Sequence, residues 1–346
     1  MIKKAITLFL FFTSLSATYA QIGGKHSFGF VDMPVNAKAG ALGGVNVSVR
    51  DYDVNMFKQN PALINDSMQG QLSISYLPYF ADINATSLAT GFRAGKAGFF
   101  TAGLQYFNYG TMTETDATGN VLGSFSAKDY ALMIGKSHTV EHFTIGASLK
   151  FVNSRIGSYN ASAFLMDIGG LFVHPEQDFT IGLAVKNLGV TLNRFSPDSK
   201  VNLPFNVQLG TSFKPEHLPV RLSITAHHLH QWDIVYNDPN KRGKMDLDGN
   251  EIKEKTSTGD IILRHFIIGG EFILTKNFNI RASYNFLRRK ELKLEERSGG
   301  AGISLGAMIR VKNFELAYTR AFYHVAGGSN HITVSTNLNR IIKKGI

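Results

Sequence analysis

The chain has 346 residues, 44% of them hydrophobic, and a formal net charge of +10. It contains no cysteine, which excludes a disulfide framework, thiolate chemistry and cysteine-based metal sites. No recognised nucleic-acid module accompanies the positive charge, so nucleic acid is not an expected partner. Anionic lipid headgroups and lipopolysaccharide phosphates are the expected electrostatic neighbours, beside the simpler interpretation of solvated loop charges.

Residues 1–20 have the three parts of an export signal. Lys3 and Lys4 form a basic start, residues 5–15 are an apolar run, and residues 18–20 (Thr-Tyr-Ala) are a small-x-small cleavage site. A retained membrane helix is the alternative, but it needs roughly 20 apolar residues and this run is shorter. No cysteine follows the cleavage site, which excludes a lipoprotein. We predict a signal peptide whose two lysines contribute +2, so the mature chain carries +8.

From residue 70 onward, segments of about ten residues alternate apolar with polar or small side chains. In 143–151, for example, Phe, Ile, Ala, Leu and Phe alternate with Thr, Gly, Ser and Lys. A period of two places the two sets on opposite faces of a strand. The non-apolar faces include Lys150, Arg221 and Arg281, which suits a hydrogen-bonded barrel lumen with the apolar face against lipid.

These segments predict about fourteen strands, an even number with lengths close to the ~9 to 11 residues of a spanning strand. The longest polar interruption, near 231–259, is predicted to be an extracellular loop. The predicted strands are 71–77, 85–93, 98–107, 126–136, 142–152, 163–173, 178–187, 205–214, 219–229, 263–274, 278–287, 301–311, 314–321 and 331–338.

Aromatic residues gather near several strand ends and are predicted to form a girdle at the lipid headgroups. The alternative is that they are core aromatics of a soluble β-fold. They are Tyr76, Tyr79, Phe80, Tyr106, Phe107, Tyr109, Phe322 and Tyr323.

A soluble two-sheet sandwich is the competing fold, because alternation alone does not say which face is inside. The segments are longer than the five or six residues typical of globular strands, and their polar faces are rich in small residues. We therefore predict an all-β chain, a transmembrane antiparallel β-barrel of about 14 strands in the outer membrane. Residues 1–20 would be the signal peptide, 21–66 an N-terminal plug-like segment and 67–346 the barrel.

One group of acidic residues and one group of histidines contain the side-chain types that bind metals. Asp246, Asp248, Asn250 and Glu251 resemble a calcium loop, but their spacing departs from the EF-hand pattern and predicts a solvated turn. A second group, His227, His228 and His230, ends one strand. Alternation separates the first histidine from the other two, so at most a surface pair and an interfacial or loop role are expected.

No spacing of serine and histidine residues identifies a nucleophile with its base. We therefore predict no catalytic residue and no cofactor, and expect that the chain is not an enzyme. A barrel phospholipase is the third functional alternative.

Residues 21–66 do not alternate. They contain Gly23 and Gly24, then Leu42-Gly43-Gly44, Asp53 and finally Asn60-Pro61-Ala62. A sheltered N-terminal segment with a Gly-Gly turn and an Asn-Pro-Ala before the first strand resembles the FadL-like long-chain fatty-acid transporter barrels. Within that superfamily the segment is most similar to the PorQ type found in the type IX secretion system of Bacteroidetes. These nine residues are the family-motif positions.

The resemblance implies a fourteen-stranded barrel with a plug, working with PorU-, PorV- and PorZ-like proteins in an attachment complex at the outer membrane. Such a complex processes cargo and joins it to anionic lipopolysaccharide, with the transpeptidase in the PorU-like protein. This chain would anchor the PorZ-like partner, with residues 237–256 as the candidate contact loop. The same resemblance implies an alternative, a transporter of hydrophobic molecules, which needs an apolar pocket in the lumen and a lateral opening.

Two local features complete the comparison with the family. The chain continues past Leu338 into residues 339–346 and does not end on the aromatic residue frequent in barrels. Glycines at 43 and 44 permit backbone conformations closed to other residues, and Pro61 biases Asn60 toward an extended entry into the wall. Ordinary turns are the alternative interpretation of both motifs.

Overall fold

The computed structural model describes residues 26–199, 201–235, 244–245, 251–252, 256–292, 299–324 and 327–342. The predicted signal peptide, Gly23 and Gly24 lie outside these ranges, as does most of the candidate contact loop at 237–256. No helix within the described ranges is long and apolar enough to cross a membrane.

Strands dominate the described residues and overlap every one of the predicted alternating segments. They are β1 (Gln71–Pro78), β2 (Asn84–Arg93), β3 (Phe99–Thr115), β4 (Val121–Val140), β5 (Phe143–Ile156), β6 (Tyr159–Val173), β7 (Asp178–Asn193), β8 (Asn206–Lys214), β9 (Val220–Ala226), β10 (Lys244–Met245), β11 (Glu251–Ile252), β12 (Phe266–Thr275), β13 (Phe278–Asn285), β14 (Ile303–Val311), β15 (Phe314–His324) and β16 (Gly327–Asn337).

Fourteen of these strands, all except β10 and β11, form a closed antiparallel barrel in the described part of the chain. Each strand pairs with its neighbours in sequence, and β9 pairs directly with β12. The ring closes where β1 pairs with β16, from Gln71↔Asn337 to Tyr76↔Ile332. β10 and β11 form a separate two-stranded ribbon. The predicted fold class is confirmed, including the strand number.

The outer surface of the barrel is apolar. In β5, Ile145 and Leu149 are 69% and 58% exposed, whereas the intervening Ser148 and Lys150 are each 2% exposed. The same pattern recurs around the ring, for example at Leu305 and Ile309 of β14. A continuous apolar exterior on a closed ladder requires hydrocarbon as its surroundings. The chain is therefore a transmembrane barrel of the outer-membrane type, and the soluble sandwich is excluded.

Residues 26–64 fill the lumen as a plug made of short helical turns. These are the 3-10 turns Gly29–Asp32, Val54–Lys58 and Pro61–Leu63 and the helix α1 (Ala37–Ala41). Asn36 caps α1, because its Oδ1 accepts a hydrogen bond from the Ala39 N–H at 2.7 Å. A further turn, Asp66–Met68, leads directly into β1.

The two ends of the barrel differ. One has tight connections such as 141–142, 276–277 and 312–313, which are typical of periplasmic turns. The other carries the longer connections and is the extracellular end. There, β3 and β4 are 17 and 20 residues long and extend well past the predicted 98–107 and 126–136. Their outer parts mix polar residues with exposed apolar ones such as Val121 and Leu122, so the regular alternation stops where the membrane does.

Three α-helices of the described ranges lie outside the lumen. The predicted loop 231–259 runs into the helix α2 (Thr258–Arg264), and α3 (Phe286–Glu291) follows β13, where a strand to residue 287 was predicted. Lys290 bonds Asp260 at 2.6 Å, which joins α2 to α3. The helix α4 (Leu338–Ile342) follows β16 at the periplasmic end.

The aromatic girdle is only partly as predicted. Tyr76 and Phe80 are 43% and 38% exposed. Phe107 and Tyr323 instead point inward and are buried, where Phe107 packs against the plug. The girdle prediction is wrong for these two residues, because position near a strand end does not fix the face on which a ring lies.

Candidate functional site in the barrel lumen

The Asn60-Pro61-Ala62 motif fits into a recess of the wall near the periplasmic end. Asn60 Nδ2 donates hydrogen bonds to the carbonyls of Val47, at 2.8 Å, and of Gly170 in β6, at 3.3 Å. Its Oδ1 accepts from the Ala62 N–H at 2.9 Å and caps the 3-10 turn. Asn60 has φ −151° and ψ 118°, the extended conformation that a following proline favours.

Two glycines make this recess possible. Gly146 and Gly169 face each other across β5 and β6. A Cβ on Gly146 would overlap the carbonyl of Pro61, and a Cβ on Gly169 would overlap Asn60 Oδ1. The plug backbone therefore approaches the wall more closely than any side chain there would permit.

The Leu42-Gly43-Gly44 motif forms the turn after α1, near the extracellular end. Gly43 and Gly44 have φ +88° and +99°, which glycine adopts without steric cost. The Gly43 carbonyl accepts a hydrogen bond from Asn285 Nδ2 at 3.0 Å, so the turn is attached to the end of β13. Leu42 is buried with Val49 and other plug residues.

The last motif residue, Asp53, has a local structural role. Its Oδ1 accepts from the Asn55 N–H at 2.9 Å and caps the turn Val54–Lys58. Thus seven of the nine family-motif residues lie in the plug at caps, turns or wall contacts. Gly23 and Gly24 lie outside the described residues.

Charged side chains of the lumen are paired with one another across the plug and the wall. On one side, Glu271 accepts from Arg281 at 2.7 Å and from Arg221 at 3.2 Å. Lys38 of the plug bonds Asp51. The inward orientation predicted for Arg221 and Arg281 is confirmed. Because each of these buried groups has a counter-charge, it can remain ionised away from bulk water.

A second network crosses the opposite side of the lumen. Lys150 Nζ lies 2.6 Å from Asp167 and donates to Asn187 Oδ1 at 2.8 Å. Asn187 Nδ2 in turn donates to Asp32 of the plug at 2.9 Å. Asn187 has φ +59°, and the β6–β7 register shifts at this level. This bulge directs a wall side chain toward the plug.

Above these networks lies an apolar chamber, the part of the lumen on the extracellular side. Four plug residues occupy it, and Phe30 meets Phe107 edge to face with ring centroids 5.8 Å apart. Alanines supply much of the wall, which leaves room for the plug's aromatic rings. The buried residues of the chamber are Phe28, Phe30, Val31 and Val35 of the plug and Leu77, Ala85, Phe107, Ala131, Val152, Ala163 and Leu165 of the wall.

The wall beside this chamber contains an interrupted ladder. β7 pairs with β8 only as far as Lys186↔Asn206, while its remaining residues continue to pair with β6. The segment between the two strands fills the gap and packs on the chamber with Phe195, Val201 and Leu203. The Ser27 N–H of the plug donates to the Asn202 carbonyl at 3.0 Å. We call this place the β7–β8 seam.

Histidines lie at the extracellular end of the chamber. His227 is buried and its ring contacts that of His228, with the two Nδ1 atoms 2.5 Å apart. His265 Nδ1 lies 2.7 Å from the His227 carbonyl oxygen, and His230 packs on Phe205. The predicted separation of His227 from His228 is wrong, because the alternation ends at Ala226 and His228 takes φ +56°. The predicted neighbours His228 and His230 lie in the segment after β9 with ring centroids 6.1 Å apart.

Burial lowers the pKa values of His227, His228 and His230. The pKa of His228 falls to about 4, and that of His227 falls well below its ordinary value. Neighbouring imidazoles lower both further. Among the described residues no group of three or more histidine, aspartate or glutamate side chains forms a metal site. Of the predicted calcium-like loop, only Glu251 is described, in β11.

No family model and no curated protein matches this chain. Several solved structures match this chain in fold. A ΔS2 mutant of the monoaromatic hydrocarbon channel TodX is 14% identical and covers 87% of this chain and 96% of its own, with a TM-score of 0.51. A TodX ΔS2S3 mutant is 12% identical over 87% and 98%, with a TM-score of 0.50. A FadL homologue from Pseudomonas aeruginosa is 12% identical over 88% and 98%, with a TM-score of 0.46.

The fold of this chain, a closed antiparallel barrel, is similar to that of the TodX structures. At these identities the likeness concerns the architecture, a closed fourteen-stranded ring, and leaves substrate and partners open.

Sequence reasoning identified the plug but missed the chamber and the seam. The alanine-rich inner faces at Ala85, Ala131 and Ala163 were one available signal, because a wall of small residues leaves space for something inside. Gly146 and Gly169 were another, at inward positions of alternating strands.

Proposed function

We propose that this barrel passes small hydrophobic molecules through the outer membrane, with the plug as its gate. The observation that carries the proposal is the apolar chamber, where Phe28, Phe30 and Val31 of the plug pack against an apolar stretch of the wall. An apolar ligand can bind to this part of the wall once the plug residues have moved away from it, because the wall then offers apolar surface that is buried on binding.

The β7–β8 seam is the proposed lateral opening. Beyond Lys186 the described residues of β7 make no ladder hydrogen bond to β8. The segment between the two strands can therefore separate from β7 with the loss of the hydrogen bond from Asn187 Nδ2 to the Pro204 carbonyl, 2.8 Å, but without breaking strand pairing. Its hydrogen bond from Ser27 couples the seam to the plug. Movement of residues 26–31 would therefore open the chamber and the seam together.

The fold likeness supports the same proposal, because the TodX structures are described as those of a monoaromatic hydrocarbon channel. The resting lumen is closed. A cavity of only about 10 Å³, lined by Asp32, Lys58, Lys186 and neighbouring residues, lies between the plug and the wall. A single water fills such a space, so transfer requires the plug to move.

A reversible lock tests the gate. The chain has no cysteine of its own, so a disulfide between Ser27→Cys and Asn202→Cys would fix the plug to the seam. We expect uptake of radiolabelled toluene by intact cells to fall at least about tenfold when the lock is oxidised, and to return on reduction, because the only contact added is covalent.

The matched control is a cysteine pair at Thr139 and Thr144, which face each other in β4 and β5 with their hydroxyls 2.9 Å apart. This pair joins two wall strands and closes no passage, so its oxidation should leave uptake unchanged. Equal toluene uptake by the oxidised and reduced Ser27/Asn202 lock would rule out transport past the plug.

A second candidate function is surface attachment, as the PorQ-type resemblance suggests. We propose it as a barrel of the type IX secretion complex that anchors a PorZ-like protein beside PorU- and PorV-like partners for cargo attachment to lipopolysaccharide. The favouring observation is the β3–β4 hairpin, whose end carries Val121 and Leu122 at 70% and 66% exposure. Exposed apolar residues beyond the membrane suit a protein contact.

Two deletions test attachment. Removing 112–124 or 237–256 should leave the barrel folded and release the surface partner from native-membrane pull-downs. Recovery of the same partner proteins with wild type and both deletions would rule out these contacts. The Ser27/Asn202 disulfide leaves both loops intact. If the chain acts in attachment, the surface partner should therefore co-purify equally with the oxidised and the reduced lock, whereas transport predicts that oxidation lowers toluene uptake. The two functions are separated by these two measurements.

A further inference from the structure

A polar groove of about 490 Å³ opens at the periplasmic end. The plug supplies Arg50 and residues 64–66, the β2–β3 turn supplies Arg93 and residues 97–99, and the end of β4 supplies residues 136–139. Its size matches that of small-ligand sites. Neither proposed function uses it.

The charge of the groove is positive. Arg93 lies 3.0 Å from Asp66, which balances it. Lys136 Nζ donates to the carbonyl of Ala97 at 2.7 Å and has no carboxylate partner among the described residues. Arg50 is half-buried and makes no hydrogen bond or ion pair with any described residue. Two cations are therefore left without a counter-charge at one cavity.

An unpartnered, half-buried guanidinium is costly unless an anion binds it. Its planar donors match a phosphate or carboxylate in a two-point contact. Next to Arg50 in the chain, the Asp51 carbonyl accepts a hydrogen bond from Asn65 Nδ2 at 2.8 Å. Ser137 Oγ donates to the Ile64 carbonyl at 2.8 Å, so β4 and the plug are joined at the floor of the groove.

The groove is continuous with the lipid-facing surface. Lys136 follows Leu132 and Ile134 on the outer face of β4, and its ammonium lies 4.9 Å from the centre of the Phe100 ring. Phe100 stacks on Phe92, which is exposed on the same face, with centroids 6.2 Å apart. Aromatic rings with a lysine at this level mark the headgroup region of the inner leaflet.

We propose that this groove binds the phosphate of an anionic phospholipid of the inner leaflet. Arg50 and Lys136 contact the phosphate, and an acyl chain lies along Phe92 and Phe100. Basic pockets at membrane interfaces bind lipid headgroups through this chemistry. The site acts independently of transport, so it stands or fails separately from the gate.

Native mass spectrometry of the full mature chain tests the site. The protein is released from nanodiscs of equal phosphatidylglycerol and phosphatidylcholine, and the retained lipid is identified. We expect phosphatidylglycerol to be retained preferentially. Arg50→Gln should lower that retention about tenfold, the effect of losing one charge-assisted contact. Lys136→Gln should lower it less, because that ammonium is exposed.

The matched control is Arg155→Gln, an exposed arginine at the extracellular end whose Nε donates to the Gly157 carbonyl. It should retain phosphatidylglycerol like wild type. Equal retention by Arg50→Gln and wild type would overturn the proposal, as would retention without headgroup preference. If excess inorganic phosphate removes the lipid, the groove is a free-anion site and the lipid assignment is wrong. Loss of the folded band of Arg50→Gln in unheated gels would mean that this variant does not fold. The test then rests on Lys136→Gln, and phosphatidylglycerol retention equal to that of wild type would overturn the proposal.

Discussion

Replacing Gly146 by alanine should unseat the plug without opening the barrel. The added Cβ would overlap the Pro61 carbonyl and lie 2.5 Å from the Ala62 nitrogen, so backbone must move. Overpacking of this kind costs about 1–3 kcal/mol. Moving the turn Pro61–Leu63 instead exposes Leu63, at about 2 kcal/mol, and breaks the Asn60–Gly170 hydrogen bond, at about 1 kcal/mol.

Either route weakens the seating of the plug by about 2–3 kcal/mol, which raises its opening equilibrium on the order of 100-fold. Hydrogen–deuterium exchange of residues 46–63 in nanodiscs measures this change, because exchange there follows local opening. The exchange of the β5 and β6 amides above the recess should stay as in wild type, since the ladder hydrogen bonds are untouched.

Gly170→Ala is the matched control. Gly170 neighbours Gly169 in β6 but faces outward, where a Cβ meets nothing within 4 Å. We expect its plug to exchange like that of wild type. If Gly146→Ala and Gly170→Ala exchange equally over residues 46–63, the recess does not hold the plug and the argument from close approach is wrong.

Three further predictions concern the lumen. Burial lowers the pKa of His228 to about 4, so the neutral imidazole stabilises the extracellular end fully above the unfolded pKa near 6.5, and this stabilisation is lost as pH falls toward 4. The protection factors of residues 26–33, which are the intrinsic exchange rates divided by the measured rates at the same pH, should therefore be lower at pH 4.5 than at 7.5, and His228→Gln should flatten that dependence. Lys150→Met leaves Asp167 buried without its cation and should lower the free energy of unfolding in urea by about 3–5 kcal/mol. The double variant Lys150→Met/Asp167→Leu should recover most of that loss. An equal loss of unfolding free energy in the single and double variants would contradict a pairing effect. Phe30→Ala empties part of the chamber and should allow toluene binding measurable by calorimetry, while no binding would show that the chamber collapses instead.

The barrel could be predicted from sequence because lipid on one side and a polar lumen on the other impose a strict period of two. Ile145, Leu149 and Lys150 follow that rule wherever hydrocarbon covers the strand. The upper parts of β3 and β4 could not be predicted, because beyond the membrane neither face must be apolar. The two helices α2 and α3 were missed for the same reason.

The contents of the lumen depend on contacts between distant residues. Nothing near Phe30 in the sequence indicates Phe107 as its partner, and nothing near Gly146 indicates Pro61. Inward glycines and alanines show that space is available but not what fills it. The histidine group required a left-handed backbone at His228, which alternation does not anticipate.

Closure of the ring by β1 and β16 has a consequence for biogenesis. The plug immediately precedes β1, the first wall strand made, whereas β16 is the last. A ring sealed before the plug was seated would have to admit residues 26–64 lengthwise past buried ion pairs. Assembly therefore goes most directly by wrapping the remaining strands around a core already formed at the amino terminus, with the β1–β16 pairing as the final step.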